Sequence, residues 1–164
     1  ILSAGADKIS INSAAVSNPN LIEEGAKLFG SQCIVVAVDV KKEKGKWKVY
    51  THGGRTRTKW DALEWLAEVE SLGAGEILLT SIDRDGTKTG FDIELYRAVS
   101  ETVGIPIIAS GGGGTVDDFI DLFKETEVTG ALAASIFHYN EISIGTLKWR
   151  LKEEGIPIRL EELK

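Results

Sequence analysis

Methionine is absent from the 164-residue sequence, and cysteine occurs only at position 33. A single thiol forms no internal disulfide, which favours a reducing, cytoplasmic location. Two histidines and no Cys-x-x-Cys pair argue against a metal site. No apolar run approaches the roughly 18 residues of a membrane-spanning helix, and the first residues lack a secretory signal. Because a complete gene product begins with methionine, we expect the chain to be a piece of a longer protein.

The charge balance excludes a further class of partner. Nineteen Lys and Arg residues stand against 25 Asp and Glu residues, for a net charge of −6. Nucleic acids are bound through clustered Lys and Arg, so we expect no nucleic-acid partner. The length, the 43% hydrophobic content and the 18 glycines are typical of one globular domain, here residues 1–164.

Apolar runs of strand length alternate with amphipathic segments along the chain. The runs are Lys8–Asn12, Cys33–Val40, Glu76–Ser81, Pro106–Ser110 and Gly130–Ile136. Several are unbroken β-branched runs, as expected for parallel strands covered on both faces. Repeated βα units predict right-handed crossovers and a parallel sheet, either open and doubly wound or closed into a barrel.

The segments between these runs have readable helix ends. Predicted helix starts are Asn18-Pro19, Thr58, Asp92, Thr115 and Ser143. Thr115 and Asp118 resemble a capping box, and the helix from about Ser143 runs to Glu154. The longer gap between the second and third strands predicts a β-hairpin around Trp47–Thr51.

A loose internal repeat favours the barrel. Setting Asn12-Ser13 against Ala134-Ser135 aligns two βα units at an offset of 122 residues, about half a standard barrel. Five units occupy this chain, whereas a complete barrel needs about 250 residues. The predicted fold is therefore an α/β fragment of a (β/α)₈ barrel, covering about strands 4 to 8 and their helices.

Asp39 is the most informative single residue. It follows four apolar residues on a strand expected to be buried, where a carboxylate is costly to desolvate and its pKa rises. A carboxyl group tuned in this way suits general acid/base chemistry at the carboxyl end of a barrel strand. The alternative is a structural carboxylate that caps a neighbouring loop.

Glycine and hydroxyl residues after other strands indicate anion binding. Gly111–Gly114 precedes the helix that Thr115 opens, and Asp85-Gly86-Thr87 and Ala134-Ser135 offer further amide and hydroxyl donors. Asn12-Ser13 would supply a second anion site across the barrel. Two such sites imply a substrate phosphorylated at both ends, whereas the alternative is that the glycines only form turns.

Lys8 and Glu76 stand at the starts of two alternate strands. Because alternate strands contribute to one interior layer of a barrel, these residues are candidates for a buried ion pair at its floor. The alternative is that both side chains point into solvent.

The sequence resembles the cyclase subunit of imidazole-glycerol-phosphate synthase over essentially its whole length. The stretches that carry the resemblance are Gly5–Ala15, Val35–Asp39, Gly73–Thr87, Ile107–Gly112 and Ala131–His138. The resemblance implies a (β/α)₈ barrel of histidine biosynthesis that needs no cofactor. It implies that ammonia from a partner glutaminase and a bisphosphorylated ribulosyl-formimino-carboxamide ribotide become imidazole glycerol phosphate and aminoimidazole carboxamide ribotide.

The resemblance also implies roles for individual residues. Asp39 matches a catalytic general acid/base, and Thr80 would lie beside it. Asn12 and Ser13 match one phosphate site. The second phosphate site is matched by Asp85, Gly86, Gly112, Ala134 and Ser135. Lys8 and Glu76 match a charged gate through which ammonia enters, and Asp7 would lie near the glutaminase.

The departures from this family concern the units that precede the first run. By this comparison strands 1 to 3 are absent, and with them a second catalytic aspartate and part of one phosphate site. We therefore expect this chain alone to be inactive. Two rival interpretations remain, namely the sister phosphoribosyl-formimino isomerase and a non-catalytic, phosphate-binding half-barrel. The hairpin near Trp47 and the Lys8/Glu76 pair favour the cyclase.

Overall fold

The computed structural model describes residues 1–160. The strands of its sheet are β1 (Ile9–Ile11), β2 (Ile34–Glu43), β3 (Lys46–Thr51), β4 (Thr56–Asp61), β5 (Glu76–Ser81), β6 (Ile107–Ser110) and β7 (Gly130–Leu132). The helices are α1 (Ser13–Ser17), α2 (Asn20–Phe29), α3 (Ala62–Ser71), α4 (Ile93–Ser100), α5 (Val116–Glu125), α6 (Ser135–His138) and α7 (Ile144–Glu153). Two short 3₁₀ turns, Leu2–Ala4 and Ser31–Cys33, complete the regular structure described.

Five strands form a parallel sheet in the order β1-β2-β5-β6-β7, with each strand beside the next parallel strand in the chain. A doubly wound sheet reverses its strand order at a switch point, whereas a barrel adds its strands in one direction. Within residues 1–160 the order does not reverse, and β1 and β7 do not pair with each other. The sheet thus has the winding of a barrel and is open.

The carboxyl-terminal part of β2 extends beyond the parallel sheet and pairs with an antiparallel strand. Asp39–Glu43 pair with Lys46–Tyr50 of β3, which in turn pairs with β4. The predicted hairpin near Trp47–Thr51 is confirmed. The predicted helix start at Thr58 is wrong, because Thr58 lies within β4 and the helix begins after Asp61, whose carboxylate accepts a hydrogen bond from the Leu63 amide. Pairing with β3 decides the local conformation here.

The other helix signals agree with the structure. Asp92 caps α4, and Thr115 and Asp118 form a reciprocal capping box at the start of α5. Such caps satisfy the free amide groups of the first helical turn, each contributing about 1 kcal/mol. Helix α7 begins after Ser143 as predicted. The short helices α1 and α6, which follow β1 and β7, have no clear periodicity in the sequence.

The hydrophobic core lies between the sheet and its helices. Along β5, Ile77, Leu79 and Ser81 are buried on the helical side, whereas the alternating residues Leu78 and Thr80 are only partly buried on the opposite face. Period-two alternation in a strand places these two sets on opposite faces. One face of the sheet is therefore packed, and on the other, more open face the side chains are only partly buried.

Among residues 1–160 no helix has the length and apolar character needed to cross a membrane. The same part of the chain contains no group of three or more His, Cys, Asp or Glu side chains arranged to hold a metal ion.

Candidate active site

Asp39 lies where the parallel part of β2 meets the antiparallel extension. Its register partners are Thr80 on β5 and Tyr50 on β3. Since paired residues in a parallel sheet project from the same face, Asp39 and Thr80 share the more open face of the sheet. The Nδ2 atom of Asn12 donates a hydrogen bond to Oδ2 of Asp39 at 3.1 Å. The carboxylate is thus positioned by its own strand and by the residue that follows β1.

The surroundings of Asp39 change its acidity. Burial raises the pKa of the Asp39 carboxyl above its ordinary value, the hydrogen bond from Asn12 opposes this, and the nearby Asp85 carboxylate adds to the rise. Desolvation and a like charge both disfavour the ionised form. A carboxyl group with a raised pKa exchanges protons at a pH closer to neutrality, which is the property required of a general acid/base.

A pocket of about 140 Å³ lies at the carboxyl ends of β5, β6 and β7, and neither Asp39 nor Thr80 lines it. It is lined by Asp85, Gly86, Lys88, Ser110, Gly111, Gly112, Gly113, Leu132, Ala133, Ala134 and Ser135. The pocket is lined by all five residues that the resemblance assigns to the second phosphate site, namely Asp85, Gly86, Gly112, Ala134 and Ser135. Asp85 connects the pocket electrostatically to Asp39.

The glycines after β6 are required by close packing. Gly111 and Gly112 have φ values of 95° and 105°, in the left-handed region that side chains disfavour. A Cβ on Gly112 would lie 2.2 Å from the carbonyl oxygen of Gly90. That carbonyl belongs to the loop after β5, whose amide at Gly90 donates to the Gly112 oxygen at 2.9 Å. The glycine run therefore lies directly against this loop, which also lines the pocket.

Two hydrogen bonds attach the loop after β5 to β2, one between backbone atoms and one from a β2 amide to the Asp83 side chain. The Ile82 amide donates to the Val40 oxygen at 2.8 Å, and the Lys42 amide donates to Oδ2 of Asp83 at 2.7 Å. Asp83, which lies within the Ser81–Thr87 motif, therefore has a structural partner in the Lys42 amide. These bonds attach the loop that carries Asp85, a residue lining the pocket, to the strand that carries Asp39.

Two residues of the site were missed by the sequence reasoning. Lys88 is the cationic residue among those lining the pocket, and its Nζ pairs with Glu141 at 2.5 Å. Lys88 could have been included in the predicted site from the sequence alone, because it lies between Asp85 and Gly90. Tyr96 is fully buried and its hydroxyl contacts the backbone of β5 and β6. Nothing in the amphipathic pattern of α4 distinguishes it from an ordinary core residue.

Asn12 and Ser13 occupy a position that corresponds to Ala134 and Ser135. Asn12 caps α1 as Ala134 caps α6, and each cap follows a short parallel strand, which agrees with the repeat seen in the sequence. The two pairs do not share a pocket, since neither Asn12 nor Ser13 lines the one described. Ser13 Oγ accepts a hydrogen bond from the His52 amide at 2.9 Å, and Asn12 is directed at Asp39.

Lys8 and Glu76 form an ion pair at the amino ends of the strands, with Nζ and Oε2 2.8 Å apart. The expectation that they pair is confirmed, but the expectation of a buried pair is wrong. The Lys8 side chain is 51% exposed and that of Glu76 is 18% exposed. The open sheet leaves this end accessible to solvent, and Asp7 beside Lys8 is exposed as well.

The fold and the site define an α/β protein with a polar pocket at the carboxyl ends of a parallel, barrel-like sheet, which is where barrel enzymes carry their chemistry. The sequence profile of the family described as histidine biosynthesis protein matches residues 1–143. The chain belongs to this family.

Curated relatives share a common name. The chain is 56% identical over 161 residues to the imidazole glycerol phosphate synthase subunit HisF of Halalkalibacterium halodurans. It is 58% identical to the subunit of the same name from Geobacillus kaustophilus and 60% identical to that from Hydrogenobaculum sp.. The alignments cover 97–98% of this chain and 64% of each relative. The chain therefore spans just under two thirds of the length of these relatives.

Proposed function

We propose that the chain carries part of the active site of an imidazole-glycerol-phosphate synthase cyclase subunit. The reaction proposed is the conversion of a bisphosphorylated ribulosyl-formimino-carboxamide ribotide and ammonia to imidazole glycerol phosphate and aminoimidazole carboxamide ribotide. The single observation that carries this proposal is the half-buried Asp39, which lies opposite Thr80 and whose pKa is raised. The printed names of the relatives support the same reaction class.

Asp39 would act as general acid and base in cyclisation and bond cleavage. Its carboxyl group is held by Asn12 at one oxygen, and Thr80 presents a hydroxyl group on the same face of the sheet. General acid/base catalysis contributes typically about 10²–10⁴-fold to a rate. The alternative of a purely structural carboxylate is not favoured, because the one side-chain partner found for Asp39 leaves its second oxygen free among the described residues.

The pocket at the carboxyl ends of β5, β6 and β7 would bind one phosphate group of the substrate. Backbone amides of a glycine-rich turn and hydroxyl groups bind phosphate without requiring many cations. Gly111–Gly113 and Ser135 present such groups, and Lys88 adds one positive charge. Asn12 and Ser13 would contribute to the site for the other phosphate group, with Asn12 also contacting Asp39.

The partner proposed is a glutaminase that supplies ammonia at the opposite end of the strands. The Lys8–Glu76 ion pair is found at that end, and its exposure leaves it accessible to a docking protein. Asp7 lies beside it on the same surface. The complex would belong in the cytoplasm, where amino-acid biosynthesis takes place and where the single Cys33 remains reduced.

We further propose that the five parallel strands correspond to strands 4 to 8 of an eight-stranded barrel. The one-directional strand order and the 64% coverage of the relatives support this correspondence. The described part of the site contains one proposed acid/base carboxylate, Asp39, whereas the resemblance to the cyclase implies a pair. We therefore expect the chain alone to bind phosphate esters without turnover.

The test combines the chain with the portion of a relative that lies outside the aligned region. Co-expression with the part of the Geobacillus kaustophilus subunit that lies outside the aligned region should restore turnover of the ribotide with ammonium. Asp39→Asn should then lower kcat by at least about 100-fold. Turnover that is independent of any nitrogen donor would instead favour the sister isomerase. Turnover of the ribotide with ammonium by the isolated chain would overturn the expected inactivity.

The half-barrel that binds phosphate without catalysis is the second candidate. The observation that favours it is the pocket, which is complete within the described residues of this chain. Under this alternative the combined protein binds phosphate esters, shows no turnover, and tolerates Asp39→Asn without loss of any measured function.

A further inference from the structure

Tyr96 places a hydroxyl group inside the buried layer between α4 and the sheet. Its side chain is fully buried. The hydroxyl accepts a hydrogen bond from the Ser110 amide at 3.0 Å. Its single proton is shared between the Leu79 oxygen, 2.9 Å away on β5, and the Ser110 oxygen, 2.8 Å away on β6.

A buried phenol of this kind has a specific structural effect. Burial raises the pKa of the Tyr96 hydroxyl well above its ordinary value, so the group stays protonated and can both donate and accept. All three of its partners are backbone atoms, which cannot rotate away to find other partners. A phenylalanine would fill the same space and leave the Ser110 amide and the neighbouring carbonyls without this bond, at a cost typical of buried unsatisfied groups.

The hydroxyl lies directly behind the pocket. Leu79 precedes Thr80, and Thr80 is the register partner of Ser110. Ser110 is the last residue of β6 and lines the pocket together with Gly111–Gly113, which follow it. Tyr96 therefore connects β5 and β6 at the point where the second of these strands passes into the glycine run.

We propose that Tyr96 is a positioning residue for this pocket. Its hydroxyl holds the backbone of Ser110 against β5, and this sets the direction in which the amide groups of Gly111–Gly113 face the ligand. The ligand class is a phosphate group, and this part rests on the proposed function of the pocket. Tyr96 makes no contact with the ligand itself and acts only through the backbone that it holds.

The test compares Tyr96→Phe with Thr126→Val in the full chain. Thr126 is also buried, and its hydroxyl donates to the Leu122 oxygen, far from the residues that line the pocket. Both variants remove one buried hydroxyl group and keep the volume of the side chain nearly constant. Amide hydrogen exchange and the affinity for inorganic phosphate are measured by NMR for both variants and for the wild-type chain.

We expect Tyr96→Phe to accelerate exchange selectively at Ser110 and Gly111–Gly113 and to weaken phosphate binding about three- to tenfold. Thr126→Val should leave both the local exchange pattern and the phosphate affinity of the wild type unchanged. Restoration of the phosphate affinity of Tyr96→Phe by a stabilising osmolyte would point to global stability rather than positioning and would overturn the proposal.

The outcomes separate this inference from the proposed function. If neither the wild type nor either variant binds phosphate, the proposed function of the pocket fails. Selectively faster exchange at Ser110 in Tyr96→Phe would still support the positioning of the backbone by Tyr96. If the wild type binds phosphate and Tyr96→Phe binds it equally well, the proposed function stands and the inference on Tyr96 is wrong. Uniformly faster exchange in both variants also contradicts it.

Discussion

The side-chain amide of Asn12, directly after β1, donates to Oδ2 of Asp39 on the neighbouring strand β2 at 3.1 Å. A carboxylate only accepts hydrogen bonds, so this contact requires the Nδ2 atom of Asn12 to face Asp39. The bond favours the ionised carboxyl group and opposes the effect of burial. Asn12 therefore sets how far the pKa of Asp39 rises, in addition to its proposed place beside a phosphate site.

Replacing Asn12 should make Asp39 a weaker acid. In Asn12→Ala the hydrogen bond that lowers the pKa is lost while burial and the Asp85 charge remain, so the pKa of Asp39 should rise further. The measurement is an NMR titration of the Asp39 carboxyl carbon. Ser13→Ala is the matched control, because Ser13 contacts the His52 amide and not Asp39. An unchanged or lower pKa in Asn12→Ala would contradict this role.

Asp39 should also make stability depend on pH. Its folded-state pKa is raised above 3.8, so the folded chain holds the proton more tightly than the unfolded chain does. The free energy of unfolding should therefore fall as pH rises from about 3.8 through the folded-state pKa. Asp39→Asn should lack this decline and be the more stable protein above that window.

Urea denaturation over this pH range measures the difference between the wild type and Asp39→Asn. High salt should reduce the part caused by the Asp85 charge and leave the part caused by burial, since salt screens charge interactions. A wild-type stability that rises with pH relative to Asp39→Asn across this window would show that the sign is wrong.

Gly112→Ala should damage both the fold and the pocket. The added Cβ would meet the Gly90 oxygen at 2.2 Å, and the residue has a φ of 105°. We expect a loss of more than about 2 kcal/mol of stability and of phosphate binding. Gly45→Ala is the control, since Gly45 has a φ of 81° and a Cβ added there would have no atom within 4 Å. Gly45→Ala should lose only about 1–2 kcal/mol of stability, because the alanine is strained in the left-handed conformation, and it should keep the phosphate affinity of the wild type.

The Lys88–Glu141 ion pair should compete with an anion for the Lys88 charge. Both side chains are partly exposed, so the pair contributes at most about 1 kcal/mol. Glu141→Gln should therefore tighten phosphate binding by up to about fivefold, and Lys88→Met should weaken it by a similar factor. Calorimetric titration at low and high salt measures both. Equal affinities for the two variants would exclude Lys88 from phosphate binding.

Local chemistry explains which elements were predictable. Asp92 and Thr115 start helices because their side chains satisfy free amide groups within three residues, and Glu76–Ser81 is a strand in the structure as in the prediction. Thr58 was misassigned because its conformation depends on pairing with β3, which local sequence does not reveal. The site residues that follow strands were predictable for a different reason. Parallel strands bring their carboxyl ends together, so residues just after them lie near one another.

Periodicity and the residue types next to strand ends were enough to predict the alternation of strands and helices and the strand that carries Asp39. They also indicated glycine and hydroxyl residues that line the pocket, but not Lys88. The contacts between distant parts of the chain depended instead on the three-dimensional packing. Lys88 and Glu141 lie 53 positions apart, and the Tyr96 hydroxyl contacts Ser110 14 positions away. Such partners are set by how helices and loops pack on the sheet, and packing couples residues that local pattern treats as independent.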